Sequence, residues 1–326
     1  MSRFPIEVSP NAVTDTVRNL GLAAMVDGTY FPVRTTAYKS LLDRAKINGT
    51  ALPKLPRPAL AEVLNACLQL FPTKQALVLI RDEKVAAFHG GDQHDYSALP
   101  IDKLMSVLQE HLDERFPGNM FQSGYTDHIL STAIWEFPMQ RTELLDTYID
   151  ALTKCGKATM ASRLVPGIRF TTSDVGMSAA SVSALLFGVG RPIRIGSVVA
   201  VEHRRQSSVD QFETAVDMLF SQYGDTVAQL CKLMDIWLQY PVHAMKAVCK
   251  KLTLPKKAAL EAVALFEVAV QDEPATAHDV FLAMQEILYL VKNTESANKL
   301  LSIEESLSRA MTLKWSDYDF AKEVSW

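Results

Sequence analysis

The spacing of apolar residues changes from helical to strand-like within the first third of the chain. Helical spacing over the N-terminal residues predicts three short helices joined by proline-containing turns. The predicted helices run from Ser9-Pro10 to Leu20-Gly21, from Thr36 to Ile47 and from Pro58 to Phe71. Short apolar runs at residues 76–81 and 84–89, on either side of Asp82-Glu83, then predict a β-hairpin.

The middle of the chain combines two helices with a series of strands. Helices are predicted over Ile101–Phe116 and Leu144–Leu152, and two strands are predicted between residues 119 and 137. Three more strands are predicted within residues 165–203, separated by turns at Gly188, Gly190, Pro192 and Gly196. Because these turns are too short for helical crossovers, the strands are expected to form an antiparallel sheet.

From Ser208 to the C-terminus the spacing is helical, and three capping-box patterns mark helix starts. They are Ser208 with Gln211, Thr276 with Asp279, and Ser302 with Glu305. The sequence therefore predicts an α+β protein, with an antiparallel sheet, flanking helices and a helical C-terminal region. We expect an α+β body with N-terminal helices at residues 1–205 and a helical region packed on it at residues 206–326.

Positive charge is concentrated in the middle of a chain whose formal net charge is −4. Residues 154–257 contain 14 Lys and Arg against 7 Asp and Glu, whereas the parts before and after them are acidic. A local basic surface attracts polyanions, because each neutralised phosphate releases condensed counterions. The charge pattern therefore predicts nucleic-acid binding through a patch.

The predicted nucleic-acid surface consists of basic residues of this middle region and one aromatic residue. Its members are Arg163, Arg169, Phe170, Arg191, Arg194, Arg204, Arg205, Lys250, Lys251, Lys256 and Lys257. The cations would contact backbone phosphates, and the phenylalanine ring could stack on a base. Other interpretations stay open, since residues 171–174 also suit a strand end, and the lysines around Pro255 also suit a helix boundary.

The segment His89–Tyr96 brings two imidazoles and two carboxylates together. Asp92, His94 and Asp95 could hold Mg²⁺, Mn²⁺ or a softer ion, but their spacing matches no metal motif, and a polar glycine-rich turn is the favoured interpretation. His278, in the first turn of a predicted helix, is expected to face solvent.

Catalysis has little support in the sequence. There is no GxSxG nucleophile motif, and the four cysteines, which form no CxxC pair, are predicted to be structural thiols. They are Cys67, Cys155, Cys231 and Cys249. No catalytic residue and no cofactor is predicted. With no secretory leader and no apolar run of roughly 18 residues, the expected location is the cytoplasm, away from the membrane.

Five segments in a fixed order carry a family resemblance. They are Ala76–His89, Asp95-Tyr96, Arg169–Gly176, Glu202–Arg204 and Thr276–Val280. Over roughly residues 70–290 the chain resembles a phage/plasmid-like protein family of unknown function (DUF932-like). It departs from that family at Val182–Leu186, where members often carry a Cys-Asn pair. The resemblance implies a mobile-element context, in the cytoplasm of a bacterial host cell, and a part in DNA transactions, and it supplies no catalytic residues.

Three hypotheses about function follow. The leading one is a non-enzymatic phage or mobile-element protein that binds nucleic acid, with single-stranded DNA favoured, during replication or recombination. Self-association into a ring or filament would suit such a strand-annealing protein. The second is a protein-interaction factor, such as a phage protein that blocks a host defence complex. The third is a metal-dependent enzyme using Asp92, His94 and Asp95.

Overall fold

The described residues form two five-stranded sheets, each with its own helices and its own hydrophobic core, and one short two-stranded sheet. The structure is a computed structural model, and the residues that it describes are 6–8, 19–71, 78–89, 97, 99–126, 130–174, 178–203, 207–271, 273–295, 297–322 and 324–326. The elements of the N-terminal part are the strands β1 (Ile6–Val8), β2 (Asn19–Val26) and β3 (Thr29–Arg34), the helices α1 (Tyr38–Ala45) and α2 (Arg57–Leu70), and the strands β4 (Val78–Arg81) and β5 (Lys84–Phe88).

The N-terminal sheet has the strand order β1-β2-β3-β5-β4. Its strands pair antiparallel except for β3 and β5, which are parallel at Val33 and Val85. Asp82 and Glu83 both have positive φ angles, of 49° and 57°, as a two-residue turn between twisted strands requires. The hairpin predicted at this place is confirmed.

The predicted N-terminal helices have different outcomes. The second and third are confirmed as α1 and α2. The first is wrong where it can be compared, because Leu20 and Gly21 lie inside β2 rather than at a helix end. Leu20, Leu22 and Ala24 alternate along this strand into the N-terminal core, which is strand periodicity rather than helical periodicity. Residues 9–18 of that prediction lie outside the described residues.

The larger part of the chain contains the second sheet and most of the helices. In chain order its elements are α3 (Ile101–Arg115), β6 (Met120–Thr126), β7 (Ser131–Glu136), α4 (Arg141–Lys154), α5 (Ala158–Ala161), β8 (Val165–Thr172), β9 (Ala180–Phe187), β10 (Ile193–Val201), α6 (Val209–Met234), β11 (Trp237–Leu238), α7 (Pro241–Lys251), α8 (Lys256–Val270), β12 (Ala275–Thr276), α9 (Ala277–Met284), α10 (Glu286–Val291) and α11 (Ala297–Ser308). The strand order β10-β9-β8-β7-β6 is an antiparallel meander. The predicted α+β class, with an antiparallel sheet and C-terminal helices, is confirmed.

Both faces of the meander are covered by helices. On one face Phe170 packs edge-to-face on Phe212 of α6, with ring centroids 5.5 Å apart. On the other face Arg169 forms an ion pair with Glu304 of α11. Because residues next to each other in a strand point to opposite faces, these two neighbours in β8 contact different helices.

The described residues form two separate hydrophobic cores. One core extends from Leu20 to Phe88 and the other from Leu99 to Trp315. Helix α6 packs directly on β9 and β10, so the helices after residue 205 share the larger core with the second sheet. Among the described residues, no helix combines the length and apolar character needed to cross a membrane.

Two of the three predicted capping boxes mark real helix starts. Thr276 and Asp279 form a complete capping box at α9, and the hydroxyl of Ser208 accepts a hydrogen bond from the Gln211 backbone at α6. The third prediction is wrong. Ser302 lies inside α11, which begins five residues earlier at Ala297, so its backbone is already helical.

A buried tyrosine ties α6 to the middle of the sheet. The hydroxyl of Tyr223 donates to the carbonyl of Leu185 at 2.7 Å and accepts from the backbone N–H of Gly167 at 3.1 Å. Burial raises the pKa of this phenol, so it stays protonated and can donate.

The substitution Tyr223→Phe is expected to lower the free energy of unfolding by about 1 to 3 kcal/mol, because it leaves buried backbone groups without a partner. Urea denaturation measures this change. Tyr289→Phe, at a half-exposed ring, is the matched control and should change the free energy by less than about 0.5 kcal/mol. Equal effects of the two substitutions would contradict the role given to Tyr223.

Candidate nucleic-acid cleft

A cleft of about 500 Å³ lies beside the turn between β9 and β10. Three parts of the chain form its walls: the segment from Lys157 to Arg163 around α5, the turn at residues 188–190, and the end of α9 with Gln285. The residues that line it are Lys157, Thr159, Met160, Arg163, Gly188, Val189, Gly190, Ile193, Leu282 and Gln285. The cleft therefore combines cations, a hydroxyl and an amide with apolar side chains.

The backbone around Arg163 is fixed by close packing. Gly188 has a φ of 93°, and a Cβ atom built there would lie 2.1 Å from the carbonyl oxygen of Arg163. Only glycine fits this approach, so the β9–β10 turn lies directly against the segment that carries the arginine. From the other side, Arg141 donates to the carbonyls of Ala161 and Leu164, at 2.6 and 2.8 Å.

Lys157 lines the cleft and forms an ion pair. Its ammonium group donates to Asp279, which also closes the capping box of α9. Burial would raise the pKa of Asp279, but the hydrogen bonds from Lys157 and Thr276 outweigh it and lower the pKa below its usual value. The carboxylate stays ionised and neutralises Lys157 in part, which leaves Arg163 as the stronger source of positive potential.

Arg163 lines the cleft, Arg191 directly follows the lining turn at residues 188–190, and both are exposed. In the part of the chain that the structure describes, no side-chain partner holds the Arg163 guanidinium. Arg191 follows the turn that lines the cleft, and its guanidinium donates to the carbonyl of Leu288 in α10 at 2.9 Å. An arginine has five N–H donors, so this single bond leaves Arg191 able to contact an anion.

Three other members of the predicted surface are not on the surface. Phe170 is 0% exposed and belongs to the large core, so the prediction that it stacks on a base is wrong. Arg169 is 9% exposed and Arg194 is 7% exposed. Both lie under α11, because the strands that carry them are covered on both faces.

The buried arginines form a cluster with the carboxylates of α11. Arg169 is paired with Glu304, and burial together with the nearby Arg194 and Arg191 lowers its pKa to about 10. Burial also lowers the pKa of Arg194 to about 10, while the charge of Glu305 acts in the opposite direction. The arginine charges therefore interact with carboxylates of α11 inside the protein, and these interactions hold α11 on the sheet.

The four predicted lysines lie where the sequence places them, at the junction of α7 and α8. Lys250 and Lys251 end α7, and Lys256 and Lys257 begin α8 after Pro255. All four are exposed, and none of them lines the cleft. Lys250 and Lys256 donate to the carbonyls of Ser325 and Trp326, at 2.9 and 3.2 Å, so the C-terminal residues lie against this cluster.

Several predicted residues cannot be placed. Arg204 and Arg205, as well as Asp92, His94 and Asp95, lie outside the described residues. Among the residues that are described, no group of three or more His, Cys, Asp or Glu side chains is arranged to hold a metal ion. The four cysteines are free thiols.

His278 is buried, and the prediction that it faces solvent is wrong. Its Nε2 atom lies 2.7 Å from the hydroxyl of Tyr148, and its Nδ1 atom is buried without a hydrogen-bond partner. Burial, and secondarily the charge of Lys157, lowers the pKa of His278 to about 4. The imidazole is therefore neutral at pH 7, and the hydroxyl of Tyr148 can donate a hydrogen bond to its Nε2 atom.

Sequence reasoning did not single out Lys157, Thr159 or the glycines of the turn as parts of a site. A usable signal was present, because Lys157 and Arg163 lie on either side of α5 just before β8. In an antiparallel meander the start of β8 lies next to the end of β9. This neighbourhood, and not the distribution of charge along the sequence, places Arg163 against the turn that Arg191 follows.

Comparisons with protein-family models, with curated protein sequences and with solved structures find no match for this chain. The resemblance to the phage/plasmid-like family therefore stays a prediction, and the chemistry of the cleft carries the functional argument.

Proposed function

We propose that the protein binds single-stranded nucleic acid through the cleft beside the β9–β10 turn. The observation that carries the proposal is the combination of Lys157, Arg163 and the adjacent Arg191 with an apolar lining. Cations at the rim suit backbone phosphates, whose neutralisation supplies most of the affinity for nucleic acid. The family resemblance implies that the protein acts in the replication or recombination of a mobile element, and we propose this as its biological role.

The shape and lining of the cleft favour single strands over duplex. Met160, Val189, Ile193 and Leu282 give it apolar walls, and a volume of about 500 Å³ accommodates an unpaired base. In a duplex the bases are stacked inside, so only phosphates could reach the rim. A single strand can offer both a phosphate and a base face.

Binding of fluorescent single-stranded and double-stranded oligonucleotides across a salt series tests this proposal. We expect salt-dependent binding that is tighter for the single strand. Arg163→Ala and Arg191→Ala should each weaken it and reduce the slope of log K against log salt concentration by about 0.7, the loss of one phosphate contact.

Lys103→Ala is the charge-matched control, because Lys103 is exposed on α3 and does not line the cleft. It should leave both the affinity and the slope close to those of the unmodified protein. Absence of binding at low salt would overturn the proposal. Binding that survives both arginine substitutions would place the nucleic acid elsewhere, with the exposed lysines around Pro255 as the next surface to test.

A further inference from the structure

Strand β6 forms an open edge of the second sheet. Within the described part of the chain it pairs with β7 alone, and all seven of its residues are exposed. Phe121 is 58% exposed and Tyr125 is 50% exposed. Exposed edge strands usually carry charges or proline that prevent pairing with another strand. The β6 sequence, Met-Phe-Gln-Ser-Gly-Tyr-Thr, has neither.

The edge at the other end of the sheet is closed. Helix α11 and the short helix Arg309–Thr312 lie against β10. The backbone N–H of Gly196 in β10 also donates to the sulfur of Met311, at 3.3 Å. Among the described residues, β6 is therefore the less covered edge strand of this sheet.

We propose that β6 pairs antiparallel with β6 of a second copy of this chain, which joins the two sheets into one. In a two-fold pairing each strand meets its own sequence, so any charged residue would approach its like-charged copy. The uncharged β6 avoids this repulsion, whereas a strand that recognises a charged peptide would present complementary charge. Because a two-fold pairing uses the β6 edge of both copies, this contact closes at two copies.

Contacts with β7 hold β6 in an extended conformation that suits pairing with another strand. Phe121 packs edge-to-face on Trp135 of β7, with ring centroids 5.6 Å apart, and Gln122 donates to Glu136 at 2.9 Å. The register shifts between Phe121 and Ser123, so the bulge lies near the start of the strand, and Ser123 to Thr126 pair regularly with β7. This regular stretch is the segment that we expect to form the two-fold pairing.

The pairing surface is separate from the nucleic-acid cleft. The cleft lies at the β9–β10 end of the strand order, and β6 is at the opposite edge. Two copies joined through β6 therefore leave both clefts uncovered. A protein that does not bind nucleic acid could still form this dimer, and a monomeric protein could still bind nucleic acid in the cleft.

Mass measurement by light scattering and analytical ultracentrifugation over a concentration series tests the pairing. The unmodified protein should form a dimer. Ser123→Lys and Ser123→Glu should each weaken dimerisation at least about tenfold, because each places like charges across the two-fold axis. An equimolar mixture of the two variants should restore a dimer, since opposite charges then meet. Ser221→Lys, at an exposed position of α6, is the control that should leave the dimer intact.

Circular dichroism and thermal melting check that each variant is folded, as expected for substitutions at an exposed edge. A monomer at every concentration overturns the proposal, and so does a dimer that persists in both charged variants. Monomeric variants that do not pair when mixed overturn it as well. In those cases an extended peptide from another protein becomes the alternative partner for β6.

Discussion

The substitution Glu304→Ala is expected to lower the free energy of unfolding by about 3 to 5 kcal/mol, because it leaves the buried guanidinium of Arg169 without its carboxylate. The loss is large because the arginine cannot turn to solvent: it is 9% exposed and lies near Arg194 and Arg191. Removing the carboxylate also removes the charge that offsets this repulsion. Denaturation by urea measures the change.

The control for this prediction is a solvent-exposed pair on the same core. Arg115 and Glu143 lie 3.7 Å apart, and both side chains are more than half exposed. Exposed pairs contribute about 0 to 1 kcal/mol, so Glu143→Ala should have little effect. The double substitution Arg169→Met with Glu304→Leu should recover most of the stability, because an apolar pair of similar volume leaves no unpaired charge. A loss below about 1 kcal/mol for Glu304→Ala would show that Arg169 finds another partner.

Acidification from pH 7 to pH 4 is expected to destabilise the protein through His278 by up to about 3 kcal/mol. The folded-state pKa is about 4, whereas an unfolded histidine has a pKa of about 6.5. Between these values the unfolded chain binds a proton that the folded chain does not. Stability from this group is therefore fully present above pH 6.5 and is lost as the pH falls towards 4.

The substitution His278→Gln isolates this contribution. A glutamine is neutral at every pH and can still accept a hydrogen bond from Tyr148. Free energies of unfolding measured between pH 8 and pH 4 should fall less steeply for the variant than for the unmodified protein. The difference should approach 3 kcal/mol, about 1.4 kcal/mol for each unit of pKa shift. Parallel pH profiles for the two proteins would rule out a buried, neutral His278.

The local elements of this fold could be predicted from the sequence because their signals are local. Asp82-Glu83 between two apolar runs predicts a hairpin, and Thr276 with Asp279 predicts a helix start. The first predicted helix is wrong at Leu20-Gly21, since a short apolar run with a glycine is compatible with either a helix end or a strand. The signal of Ser302 with Glu305 failed because a capping pattern is also compatible with a helix interior.

The candidate site was predicted only in part, because burial depends on contacts between distant segments. Alternation along β8 places Arg169 and Phe170 on opposite faces, but it cannot show that α11 and α6 cover both faces. Arg163 lies against the β9–β10 turn, which Arg191 follows, because the start of β8 pairs with the end of β9, as Val165 does with Phe187. The order of strands in a meander would have allowed this proximity to be predicted.

Two kinds of contact form as the chain folds: the pairing of consecutive strands in the meander, and the ion pair between the meander and α11. Each strand pair of the second sheet joins consecutive strands, so the longest connection that must close is residues 137–164, between β7 and β8, which contains α4 and α5. The contact between Arg169 and Glu304 instead joins residues 135 positions apart. The sheet can therefore form while its arginines are still hydrated. The desolvation penalty of these charges arises only when α11 docks on the sheet, and the carboxylate of Glu304 offsets it in the same step.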